Sequence, residues 1–169
     1  MISLVLATGE NGELGLDNKL IFDCPTDMKR FIKLTTNKTV IMGRSTYQSL
    51  KKPLKNRHNI IVTRDENFKV DEELHNEYSI AIRNDLHSLI EEYKDSEDEV
   101  MVIGGSEIYR QAFTHANKIY LTLFHHTREC DCVFPIKVIP AYFDEVERDE
   151  REIDGLRFDF IDYVRKENV

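Results

Sequence analysis

Apolar residues fall in short runs separated by polar turns, and the spacing within the runs changes along the chain. Ile2 to Thr8 is a partly β-branched apolar run closed by Gly9 to Gly12, which predicts a buried strand and a turn. Residues 9–23 contain Gly9, Gly12 and Gly15 without a clear period, so a long loop is expected there. A long loop inside a compact fold is usually functional. Pro25 suits the first turn of a helix, and Met28, Phe31, Ile32 and Thr35 follow at helical spacing. Strands are predicted at Thr39 to Gly43, Asn59 to Thr63, Glu77 to Ile82, Glu99 to Ile103 and Lys118 to Phe124. Short helices are predicted before Leu50, after the capping residue Asp85 (Leu86, Leu89, Ile90, Tyr93) and from Ser106 to Phe113. Tyr142 to Arg148 and Leu156 to Val164, joined by Asp154-Gly155, read as a hairpin. The pattern predicts an α/β fold: a mostly parallel eight-stranded sheet, an antiparallel C-terminal hairpin and about four flanking helices.

At 169 residues and 41% hydrophobic content, one domain spanning 1–169 is expected, and it needs no disulfide or metal staple. No apolar run approaches the ~18 residues of a membrane span, and the N-terminus lacks a basic leader region, so a cytoplasmic, non-membrane protein is expected. Cys24, Cys130 and Cys132 are odd in number and read as reduced thiols. His125, His126, Cys130 and Cys132 match no usual zinc spacing, so no metal is expected.

Charge sharpens the picture. The net charge of -8 argues against nucleic-acid binding, yet Met28 to Arg64 holds ten of the 23 basic residues and none of the 31 acids. Such a segment fits a site for a polyanionic small molecule, provided its basic residues can point together.

Two turns are suited to phosphate. Val40-Ile41-Met42-Gly43-Arg44-Ser45-Thr46 and Val102-Ile103-Gly104-Gly105-Ser106-Glu107-Ile108 each run from a strand through glycine into a helix carrying hydroxyl groups. Free N–H groups and the positive end of a helix dipole bind phosphate there. In a parallel sheet such turns share the carboxyl edge, where Arg64 also emerges, and two arginines with two helix starts suit a dinucleotide bearing an extra phosphate. A different signal comes from Asp27, which falls in line with Phe31 and Leu34 on the apolar face of its helix. Desolvation there would raise its pKa and make it a candidate for chemistry.

Read together, these stretches resemble dihydrofolate reductase. The resemblance rests on Met1 to Val5, Gly15 to Asn18, Pro25-Thr26-Asp27 with Phe31, Val40 to Tyr47, Pro53-Leu54 with Arg57, Asn59 to Arg64, Met101 to Tyr109, Tyr120-Leu121-Thr122, and Asp131 with Phe134-Pro135, in that order. It implies NADPH-dependent reduction of 7,8-dihydrofolate to tetrahydrofolate by a monomeric enzyme. By the same resemblance Asp27, partnered by Thr122, binds the pterin and assists protonation at N5, with Leu20 and Phe22 beside it in the catalytic group. Val5, Met28, Phe31, Leu50, Lys52, Leu54 and Ile103 would line the substrate groove, and Arg57 would pair with the glutamate carboxylate. Arg44, Thr63 and Arg64 would select the 2'-phosphate. Gly43, Ser45, Thr46 and Gly104 through Gly105, Ser106, Glu107, Ile108 and Tyr109 would hold the pyrophosphate. Ala7, Leu14, Gly15, Asn18 and Lys19, with Ile103, would hold the nicotinamide half, residues 9–23 would close as a lid, and Asp131 would support that lid.

The chain departs from the common bacterial pattern at the lid. Ile21-Phe22 stands where the family usually has Pro-Trp, Leu20 replaces a common methionine, and Lys52 replaces a frequent arginine. An active enzyme with altered loop behaviour is therefore expected. Two rival readings are a same-fold pyrimidine reductase of riboflavin synthesis, which needs neither Pro25-Thr26-Asp27 nor Arg57, and a catalytically idle nucleotide-binding module.

Overall fold

A computed structural model describes residues 1–168. Eleven strands form among the described residues: β1 (Ile2–Thr8), β2 (Glu13–Leu16), β3 (Lys19–Leu20), β4 (Thr39–Gly43), β5 (His58–Val62), β6 (Ser79–Arg83), β7 (Val100–Gly104), β8 (Lys118–Phe124), β9 (Cys132–Val133), β10 (Phe143–Ile153) and β11 (Leu156–Arg165). The helices are α1 (Pro25–Thr35), α2 (Arg44–Leu50), α3 (Glu72–Glu77), α4 (Leu86–Tyr93), α5 (Ser106–Phe113) and α6 (Ile139–Tyr142). Eight strands make one sheet in the order β10-β11-β8-β1-β7-β4-β5-β6. From β8 to β6 every neighbouring pair is parallel, and β11 runs antiparallel to both β8 and β10.

Strand alternation divides the core between the two faces of the sheet. Ile2, Leu4, Leu6 and Ile41 pack with Leu89 and Ile90 of α4 and Tyr109 and Ala112 of α5 on one side. Val40, Met42, Ile61 and Met101 pack with Tyr47 and Leu50 of α2, Leu34 of α1 and Leu74 of α3 on the other. A third cluster, Phe22, Phe124, Phe158 and Phe160, lies near the antiparallel end. With helices on both faces, strands β1, β4, β5, β6 and β7 all end at one carboxyl edge, where ligands bind in open α/β sheets.

The eight-stranded sheet and the four expected helices are present, and four local expectations need correction. Residues 9–23 are more ordered than a loop: β2 pairs with β3 and with β9 in a small second sheet. Its turn is Asp17-Asn18, both in the left-handed region (φ 52° and 61°), a two-residue hairpin geometry that Asp and Asn tolerate well. Glu77 ends a helix rather than starting a strand, because Glu72 and Glu73 sit at the positive end of α3, and β6 begins at Ser79. Tyr142 closes the short α6, so β10 starts at Phe143 and runs on to Ile153, well past Arg148. Strand β7 likewise begins at Val100 rather than Glu99. The C-terminal turn is as expected, with Asp154 and Gly155 both at positive φ.

Candidate active site

At the carboxyl edge lies a cleft of about 1080 Å³. Its walls come from the ends of β1 (Ala7), β4 (Gly43), β5 (Val62, Thr63) and β7 (Ile103, Gly104), the starts of α2 and α5, and the β2–β3 hairpin (Leu14, Gly15, Asn18, Lys19, Leu20). The two glycine turns meet in the middle: a Cβ on Gly43 would lie 3.7 Å from the Gly105 nitrogen and 3.1 Å from Ile108 Cγ1. Gly104, at φ +134°, leaves 3.0 Å between an imagined Cβ and Thr46 Oγ1, so glycine is what lets these two turns close on one channel. At one end Arg64 is exposed, and Arg44 is held by Asp65 (3.2 Å) with its guanidinium over the Phe68 ring. Thr63 Oγ1 accepts the Asp65 N–H at 3.1 Å and fixes this corner. The opposite end, at Ala7, Leu14 and Ile103, is apolar. Every residue expected to hold a cofactor, and Leu20 and Asp131 with them, lines this one cleft.

Asp27, in the first turn of α1, faces β8, where the Thr122 hydroxyl donates to its Oδ1 at 2.6 Å. Burial pushes the Asp27 carboxyl above its usual range, against smaller opposing pulls from the Thr122 hydrogen bond and the Arg30 charge. Ala7 pairs directly with Thr122 across the sheet, so the acid sits one strand from the apolar end of the cleft. Of the other residues expected at the substrate, Val5, Leu50, Leu54 and Ile103 are half-buried against the core, Phe31 is half-buried, and Met28 and Lys52 are exposed. Arg57 donates from Nε to Thr35 Oγ1 (3.2 Å) and from Nη1 to the Lys55 carbonyl (2.8 Å), and its burial lowers its pKa. An arginine held through two of its nitrogens keeps its remaining donors free for a carboxylate.

Against known sequences, residues 1–165 match the family described as "Dihydrofolate reductase". Similar proteins include dihydrofolate reductase of Bacillus subtilis, 35% identical over 135 residues, covering 80% of this chain and 76% of the relative. Dihydrofolate reductase type 3 of Salmonella typhimurium is 30% identical over 154 residues, 91% of this chain and 90% of the relative. The chain belongs to the dihydrofolate reductase family. Its fold also matches a solved dihydrofolate reductase from Enterococcus faecalis in complex with NADP(H), with TM-score 0.87 at 23% identity, covering 99% of this chain and 97% of the other.

Within this family fold, the cleft lining leaves out Asp27 and Thr122 and also Val5, Phe22, Met28, Phe31, Leu50, Lys52, Leu54 and Arg57, and Leu54 and Arg57 line a second hollow with Thr39, His58 and Ser79 at the amino ends of the strands. Phe22 is buried, its ring stacked 4.4 Å from that of Phe124, with the Arg128 guanidinium 4.9 Å away over its face. Arg30, part of the basic window, turns inward to Asp162 instead of joining the cationic end of the cleft. Other lining residues were not anticipated: Ser49, Val62, Cys132, and Asn84 to His87 at the β6–α4 turn. The signal for that turn was available, because Asp85 caps α4 directly after a strand parallel to β5, which places it on the same edge. Two buried polar braces also went unread. Asn59 holds the Leu54 N–H at 2.9 Å and donates to the Leu54, Arg57 and Ser79 carbonyls, shaping the turn that presents Arg57. Glu13, buried, accepts the Asn11 N–H (2.6 Å) and the Arg128 N–H (2.9 Å), tying the β2 hairpin to the loop after β8. Asp131 Oδ2 accepts the Asp17 N–H at 2.9 Å, a second tie to the hairpin turn.

Proposed function

We propose that this chain catalyses the NADPH-dependent reduction of 7,8-dihydrofolate to 5,6,7,8-tetrahydrofolate. The observation that carries the reading is Asp27: a desolvated carboxylate fixed by Thr122 beside the apolar end of a cleft whose other end is cationic. The lining fits the cofactor. Arg44 and Arg64 suit a 2'-phosphate, the paired glycine turns suit a pyrophosphate, and Ala7, Leu14 and Ile103 suit a nicotinamide ring. When bound there, NADPH supplies the hydride that reduces C6 of the pterin. The chain's own residues do the rest. Asp27 accepts hydrogen bonds from the pterin N3 and 2-amino group, orients the ring, and favours protonation at N5. Burial raises its pKa, which favours the protonated carboxyl relative to an exposed aspartate. Thr122 holds the carboxylate's second face, and Arg57 pairs with the glutamate carboxylate while Phe31, Leu50 and Leu54 flank the aminobenzoyl group. The β2–β3 hairpin, carrying Leu20, covers the reacting ends and excludes water.

In this reading residues 1–169 act as one domain and as a monomer in the cytoplasm, supply tetrahydrofolate for one-carbon metabolism and thymidylate synthesis, and bind antifolates in the pterin site. Support for the monomer comes from the edge strand β10, whose charged run from Asp144 to Glu152 opposes edge-to-edge pairing. The direct test follows nicotinamide absorbance with NADPH and dihydrofolate. Steady oxidation is expected, and folded protein that binds NADPH without oxidising it would overturn the reading. A second measurement addresses cofactor choice. Arg64→Ala removes one charge-assisted contact, so KM for NADPH should rise about tenfold while that for NADH stays put. An equal rise for both cofactors would place Arg64 elsewhere than on the 2'-phosphate.

A further inference from the structure

Arg30 lies three residues after Asp27 in α1, nearly one helical turn on, and so shares its face. Its guanidinium is largely buried. It pairs with Asp162 of β11, reaches the Leu121 carbonyl at 3.4 Å, and stacks with Cζ 4.6 Å from the centre of the Phe160 ring. Leu121 directly precedes Thr122, so adjacent residues of one strand hold Arg30 and Asp27. The proposed chemistry makes no use of this arginine. A salt bridge that merely pins α1 to the sheet could sit anywhere along the helix; this one sets a buried, permanently charged cation beside the one carboxylate in α1.

We propose that Arg30, anchored by Asp162, is a positioning residue whose charge sets the protonation range of Asp27, and with it the pH window of turnover. The proposal rests on reading Asp27 as the pterin-binding acid. Asp27 is faced by Arg30 from its own helix, by Thr122 from β8, and by Tyr109 from α5, whose hydroxyl donates to the Val5 carbonyl at 2.6 Å. Burial raises the Tyr109 pKa, so that phenol stays neutral and leaves Arg30 as the charged neighbour that acts on Asp27. Arg30 in turn is faced by Asp162 of β11, Tyr120 of β8 and Asp149 of β10, while Arg151 stacks on Phe160 at 5.4 Å. Tyr120 donates to Glu99 at 2.9 Å and is also pushed upward, so it too is neutral.

The arrangement gives two substitutions that break the same ion pair but act in opposite directions. Arg30→Met removes the cation that favours the Asp27 carboxylate, so Asp27 should titrate at higher pH. Asp162→Asn removes an anion that offsets that cation, so Asp27 should titrate lower. A pure helix brace, lost equally in both variants, would move Asp27 the same way in each.

The test is a carbon-13 titration of the Asp27 side-chain carboxyl in the free protein, with the resonance assigned by its loss in Asp27→Asn, alongside the pH profile of kcat/KM. Arg30→Met should move the midpoint up by about one unit, Asp162→Asn should move it down by less, and Arg30→Lys should restore it nearly to wild type. The same displacements should be seen in the kinetic limb governed by Asp27. An unmoved midpoint in Arg30→Met, or movement in one direction in both variants, would overturn the proposal. If Arg30→Met fails to fold, Asp162→Asn and Arg30→Lys still decide it, the former by its downward shift. Because the titration needs no turnover, failure to reduce dihydrofolate would count against the proposed function and leave this result standing.

Discussion

Asp27→Asn is expected to lower kcat/KM for dihydrofolate by about 10²–10⁴ while leaving NADPH affinity unchanged, and at pH 7 to raise Tm. Both effects follow from one environment. The side chain lies at the start of α1 with Thr122 as its hydrogen-bond donor, and Asn keeps an oxygen for that donor while losing the charge that, in the proposed reaction, binds the pterin. Activity therefore falls through lost acid–base and electrostatic work rather than through a disturbed cofactor cleft. The stability sign runs the other way. Burial raises the Asp27 pKa above its unfolded value, so the contribution of this carboxyl to stability is fully present below about pH 4, its unfolded pKa, and is lost as pH rises through the folded pKa. Wild type and Asn variant should thus melt alike in acid and diverge towards neutrality, with the variant the more stable. Steady-state kinetics and melting curves across pH check the two halves together. A variant that melts lower at every pH would mean that the carboxylate braces the fold and that its raised pKa has another origin.

The sheet was legible because its strands are short, apolar and punctuated by Gly, Pro and capping residues, and because parallel order follows from alternation with helices. Gly43, Arg44, Gly104 and Gly105 could be placed on one edge for the same reason. Asp27 was legible from helical phase alone: a carboxylate in line with Phe31 and Leu34 must meet what they meet. The features missed are those decided by partners distant in sequence. No local pattern tells that Arg30 will find Asp162, 132 residues away, or that Glu13 will be buried by the backbone of Arg128. Phe22, which the resemblance groups with the catalytic residues, stacks in an aromatic cluster with Phe124, Phe158 and Phe160, and Ala7 of the cleft wall packs against the same cluster. The short β2–β3 hairpin gave a weak signal because two-residue pairing with β9 depends on a strand that lies more than 110 residues further on.

Gly12→Ala is expected to destabilise the fold by about 3 kcal/mol or more and to cut turnover with it. Gly12 holds φ +82°, and an added Cβ would stand 1.9 Å from the Phe134 carbonyl oxygen. That neighbour cannot swing aside. The Phe134 N–H donates to the Gly12 carbonyl at 2.8 Å, the Gly12 N–H donates to the Gly9 carbonyl at 3.1 Å, and the Phe134 ring is buried against Tyr109 and Phe113. Relief therefore requires the base of the hairpin to move, carrying Glu13 off its N–H partners and Leu14 and Gly15 away from the cleft wall. Left-handed backbone alone costs a non-glycine residue about 1–2 kcal/mol, and the clash adds to it. Gly155 separates the two contributions: its φ is +80°, yet nothing lies within 4 Å of an added Cβ. Gly155→Ala should therefore lose only the conformational part, with kcat/KM unchanged, whereas Gly12→Ala should melt roughly 10 °C below wild type and lose activity even where it is folded. Equal melting temperatures for the two alanine variants would show that the hairpin base yields at no cost, and the lid would then not be fixed at Gly12.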